Sequence, residues 1–98
     1  MDQRLEALAQ DLAKAWCDGT PIPLPQAGQG VRSRAEAYAV QDRIAELVGL
    51  PVAGWKVGAA VRAVQVFEGH DGPLPGRVFS DRVFEGSARV PARLFPGA

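Results

Sequence analysis

Residues 18–30, DGTPIPLPQAGQG, allow neither a continuous helix nor a continuous strand, and they divide the chain into an N-terminal segment and a longer remainder. Pro21, Pro23 and Pro25 withhold backbone donors, and Gly28 and Gly30 loosen the rest, so the stretch reads as a largely extended loop pinned by Ile22 and Leu24. Before it, Leu5, Leu8, Leu12 and Trp16 recur at intervals of three and four, the stripe of an amphipathic helix over residues 3–17. Glu6, Gln10 and Lys14 fall on the opposite side. Gly19 suits a left-handed C-terminal cap, and Pro21 cannot continue the helix.

A second helix begins after the loop. Ser33 and Glu36 have the spacing of a capping box, in which each side chain serves a backbone N–H of the first turn. Ala37, Val40, Ile44, Leu47 and Val48 form its apolar stripe; Asp42 and Glu46 lie on the wet side, with Arg43 placed to pair weakly with Glu46. Gly49 and Pro51 end it. The stretch PVAGWKVG then reads as a strand. AAVRAVQVFEG is either a short helix or a turn-rich connection, since its periodicity does not decide. HDGPLPG reads as a loop, and short β-like runs come after it around Phe79, Val83–Phe84 and Val90. The expectation is one small α+β domain over residues 1–98, two N-terminal helices followed by short strands.

With 47% apolar residues the chain has the material for a core. Lys and Arg total 11 and Asp and Glu total 11, so no electrostatic case exists for nucleic acid or an anionic membrane. Arg77, Arg82, Arg89 and Arg93 outnumber Asp81 and Glu85 in the last quarter, a mild asymmetry that reads as a solvated surface. The single cysteine, Cys17, has no partner for an internal disulfide and no metal-ligand spacing. The N-terminus carries no apolar signal-peptide core, and no apolar run approaches the roughly 18 residues of a membrane span. These features predict a cytoplasmic location.

Lys56 is the conspicuous residue. It stands in the middle of VAGWKVGAA, between Gly54 and Gly58. In a buried strand its ammonium is costly unless paired; on an open one its stem carries the head to water. The functional alternative is an amine at a pocket, holding a carboxylate or an enolate oxygen, with the glycines permitting close backbone approach. His70, in EGHDGP, reads as a solvated loop histidine. Asp81 and Glu85 do not form a carboxylate pair in a strand-like context. Tyr38 and Gln41 project close together from the second helix.

Taken in order, AEAYAVQDRI, VAGWKVGAA and DGPLPGRVFSDRV resemble the N-terminal region of the 2-keto-4-pentenoate hydratase group within the fumarylacetoacetate hydrolase superfamily. That group shows an A-Y-x-x-Q helix segment, a G-W/R-K-x-G strand and a G-x-L/V-F-x-D segment in this order, and the resemblance runs from about Leu5 to Phe95. It implies the N-terminal part of a fumarylacetoacetate hydrolase-like fold. It also implies hydration of 2-hydroxy-dienoates or 2-oxo-enoates from aromatic meta-cleavage, or decarboxylation of a 2-oxo diacid in sister enzymes. A small 2-oxo or 2-hydroxy acid is then the substrate, and magnesium or manganese the metal of full-length relatives. Lys56 matches the active-site lysine; Tyr38 and Gln41 match the helix motif; Gly54, Gly58 and Gly76 match structural positions.

The departures set limits. The family's Glu-x-Glu metal strand should begin where this sequence reads VPARLFPGA, so no metal ligand is expected within it and the metal-binding part is expected outside. Leu74 stands where hydratases tend to carry an acid, and Ala59–Ala60 where a Thr or Ser usually comes after the lysine segment. Two readings result: an N-terminal portion of a hydratase-like enzyme, inactive alone, or a non-catalytic interaction module or remnant. If the chain normally packs on a larger β-rich domain, an apolar patch around Phe79, Phe84 and Phe95 is expected to be exposed and to drive self-association.

Overall fold

A computed structural model describes residues 1–94. It is an α+β structure: α1 (Gln3–Asp18), α2 (Arg34–Val48), β1 (Val52–Gly58), α3 (Arg62–Glu68) and β2 (Leu74–Phe79), with short 3-10 turns at Ser80–Arg82 and Ala92–Leu94. The chain divides into two compact units, one made of Met1–Gly49 with the stretch that begins at Arg89, the other of Leu50–Ala88.

In the helical unit, both helices start and stop on local signals. The Asp2 carboxylate accepts the Leu5 N–H at 2.9 Å, a cap that the leucine spacing does not reveal. The Ser33 hydroxyl accepts the Glu36 N–H at 3.1 Å, while the Glu36 carboxylate reaches the N–H of Arg32, one residue before the cap, at 2.9 Å. Gly19 and Gly49 close the helices with left-handed φ of 70° and 71°. Gly19 has a second reason to be glycine: a Cβ there would lie 2.5 Å from the carbonyl oxygen of Arg93.

The buried stripe of α1 is Leu5, Ala9 and Ala13, rather than one centred on Leu8, Leu12 and Trp16. The alanines let α2 approach closely, and Leu5, Ala9 and Val40 form the core that Leu8, Leu12 and Ile44 pack around. Leu47, expected on the inner face of α2, is exposed. Glu6 corrects the sequence reading too. Rather than facing water alone, it accepts the Arg43 guanidinium at 3.0–3.1 Å, and Arg43 also bonds Glu46 at 2.9 Å. Arg4 bonds both Glu36 carboxylate oxygens and the Gly30 carbonyl, which brings the starts of α1 and α2 to one end of the unit.

In the second unit β1 and β2 pair antiparallel: Gly54 opposite Val78, Trp55 opposite Arg77, Lys56 opposite Gly76, Val57 opposite Pro75 and Gly58 opposite Leu74, with an irregularity between Val52 and Gly54. The segment AAVRAVQVFEG resolves as α3. The last three residues of HDGPLPG, Leu74, Pro75 and Gly76, are strand rather than loop. Its prolines suggested otherwise, but in a two-stranded sheet every strand has an open edge, where a residue without an N–H loses no ladder bond. Val83–Phe84 and Val90 are not in strands; Val83 ends the 3-10 turn, and Gly86 and Pro91 interrupt the chain beyond it. Gln65, the one buried polar residue among those described, ties the unit together. Its amide donates to the Ala59 carbonyl at 2.8 Å and accepts the Gly72 N–H at 3.0 Å, clamping both junctions of α3.

Candidate functional site

Lys56 does not occupy a buried strand. β1 is exposed along nearly its whole length, and Lys56 is exposed with it, so its ammonium bears no burial cost. Side chains alternate across a strand, which puts Gly54, Lys56 and Gly58 on one face. Gly76 stands opposite on β2. The lysine therefore has a glycine on each side along its own strand and another across the ladder. Its stem lies over Gly76: a Cβ on that glycine would sit 3.3 Å from Lys56 Cε and 3.6 Å from Cγ. The result is an amine on a strand above a floor of bare backbone, open to a flat ligand. Such an amine can hold a carboxylate or a developing enolate oxygen.

The opposite face carries Trp55 and Arg77, with the Arg77 guanidinium 5.1 Å from the ring centroid, and Val57 opposite Pro75. Tyr38 and Gln41 stand on α2 in the helical unit, so the structure gathers Lys56, Gly54, Gly58 and Gly76 in one unit and the helix motif in the other.

Acidic groups in the second unit are engaged nearby. Asp71 bonds Arg62 at 2.7 Å, Asp81 bonds Arg82, and Glu68 bonds His70 at 2.9 Å. His70 is thus a largely covered, paired side chain rather than a solvated one. Among the described residues no three His, Cys, Asp or Glu side chains come together as a metal ion would need. No helix among them is long and apolar enough to cross a membrane.

Three carboxylates of the helical unit, Asp2, Glu6 and Glu36, are held below their ordinary range. Bonding to Arg43 holds Glu6 below the usual carboxylate range, and the Arg32 N–H followed by the Arg4 guanidinium does the same for Glu36. The Leu5 N–H lowers Asp2, and Glu6 in turn raises Arg43.

Sequence reasoning missed Gln65. An amide in a segment of undecided periodicity gives no sign that it will be buried. The expected apolar patch holds in part. Phe79 is only 6% exposed, whereas Phe84 is 44% exposed and Phe95 lies outside the described residues. Other apolar side chains of this unit are more exposed than Phe84: Phe67 at 91%, Val66 at 64%, Val61 at 63%, Val57 at 60% and Trp55 at 59%.

No family model matches the chain, and no curated protein or solved structure matches it either.

Proposed function

We propose that this chain is the N-terminal portion of a 2-keto-4-pentenoate hydratase-like enzyme, to which it contributes Lys56 as the amine that binds the oxygen of a small 2-oxo or 2-hydroxy acid. The observation that carries the reading is the open position of Lys56 over Gly76, with Gly54 and Gly58 beside it. This is what an amine needs if a planar, anionic molecule is to lie against the strand. The order of the AYAVQ, GWKVG and GRVFSD segments supports it. The proposal assigns the divalent metal, and with it most of the stabilisation of the enolate, to residues outside this sequence.

The test is an NMR titration of the 98-residue chain with 2-oxopentanoate, a stable 2-oxo acid. Weak binding that shifts the amides of Gly54–Gly58 and Gly76, and that disappears in Lys56→Met, is the expected result. Shifts that persist in the variant, or no shifts at all, overturn the reading. In a paired ultraviolet assay with magnesium the chain is expected not to hydrate 2-hydroxypenta-2,4-dienoate. Turnover would refute the assignment of metal and catalysis to residues elsewhere.

A second reading rests on the exposed Trp55, Val57 and Phe67. A two-stranded sheet is marginal alone, and its open edges and apolar faces favour a covering partner. In that case the unit is an interaction module, and sedimentation should show self-association that Trp55→Thr weakens.

A further inference from the structure

The helical unit contains an open apolar groove of about 930 Å³ between α1, α2 and the proline-rich connection. Leu8 and Leu12 wall one side and Ala37 and Ile44 the other, with Ile22 and Val31 along the connection. This size and apolar character fall within the range of small-molecule sites. The connection does not fill the groove. Leu24, expected to pin the loop, is 93% exposed.

Two polar groups in the groove are not used up by the fold. Gln41 lines it from α2, half-buried, and its amide has no hydrogen bond among the described residues. Arg32 also lines it and is the only charged residue among those described that does. One of its N–H groups donates to the Gly28 carbonyl at 3.2 Å, leaving most of the five guanidinium donors open. Two carboxylates feel its charge, Asp2 and Glu36. Both are already engaged: Asp2 by the Leu5 N–H and by Arg4 at 3.5 Å, Glu36 by Arg4 at 2.9 Å. Among the described residues no acidic side chain lines the groove itself.

We propose that this groove binds an apolar molecule bearing a single carboxylate, its hydrocarbon or aryl body against Leu8, Leu12 and Ile44 and its head group on Arg32 and the Gln41 amide. One cation with no lining anion matches one negative charge. A phosphate dianion would need a second cation, and an ammonium head would be repelled by the Arg32 charge, with only the Gln41 amide oxygen to receive it. The site uses none of the residues around Lys56, and its test is independent of the hydratase reading.

The experiment is an NMR titration of the full chain with three probes of equal chain length, octanoate, octan-1-ol and octylammonium. Octanoate is expected to bind most tightly, up to about fivefold better than octanol for an exposed ion pair, and octylammonium least. Shifts should fall on α1, α2 and residues 22–32. Arg32→Gln should erase the advantage of octanoate while leaving octanol unchanged, Arg32→Lys should keep most of it, and Ala37→Phe should weaken all three by filling the groove. Equal affinity for octanoate and octanol in the wild-type chain, shifts confined to the strand unit, or no binding would each overturn the proposal. The wild-type probe order needs no variant, so a folding defect in Arg32→Gln cannot hide the answer.

Discussion

Lys56 and Gly76 face each other across the β1–β2 ladder, and the lysine stem crosses the glycine at a distance that leaves no room for a relaxed Cβ. The pair makes stability and binding separable. Gly76 is not in the left-handed region, and the stem that would be displaced is exposed and flexible. Gly76→Ala should therefore be neutral or stabilise by up to about 1 kcal/mol through the unfolded chain, while pushing Lys56 off its position and weakening 2-oxopentanoate binding. Urea unfolding and the NMR titration read the two effects independently. Loss of stability together with unchanged binding would contradict this account of the pair.

Gln65 should be the most sensitive position in the strand unit. Gln65→Leu leaves the Ala59 carbonyl and the Gly72 N–H without their partner. Both groups are half-buried, so each left unpaired costs up to about 1–3 kcal/mol, a large part of what so small a unit has. Hydrogen exchange should show the amides of Leu50–Ala88 losing protection while those of α1 and α2 keep theirs.

Gly19 and Gly49 offer an internal comparison. Both cap helices at nearly the same positive φ, but only Gly19 lies against a neighbouring carbonyl, whereas a Cβ on Gly49 would have nothing within 4 Å. Gly49→Ala should cost about 1 kcal/mol for the left-handed backbone alone. Gly19→Ala should cost more, because the Arg93 carbonyl must also move. Equal losses in thermal denaturation would remove the role given to that contact.

Acid should loosen the helical unit. Glu6 and Glu36 titrate below their usual range when folded, so the unfolded chain takes up their protons first. Their contribution is complete above the ordinary glutamate value of about 4.3 and is lost as pH falls through the lower folded values. The melting temperature should drop between about pH 5 and pH 3. Glu6→Gln and Glu36→Gln should each lower stability at neutral pH and flatten that decline.

The two long helices were legible in the amino-acid order because their signals are local. Ser33 meets Glu36 three residues away, and Gly19 and Gly49 end their helices through their own φ, whatever lies beyond. The strand GWKVG was legible for the same reason, as a short apolar run with bounding glycines. Which faces those elements bury was settled by packing between them. Ala9 and Ala13 displaced the larger Leu8 and Leu12 from the centre of the stripe because close helix contact rewards small residues, and Glu6 was drawn from the wet side by an arginine on another helix. The register that sets Lys56 over Gly76 and the clamp made by Gln65 depend on residues that meet only when the chain folds back, where periodicity and propensity carry no information. A lysine's surroundings are a property of the ladder it joins. Lys56 could be picked out from its neighbours in the chain, but the pairing with β2 determined that it stands in the open among glycines.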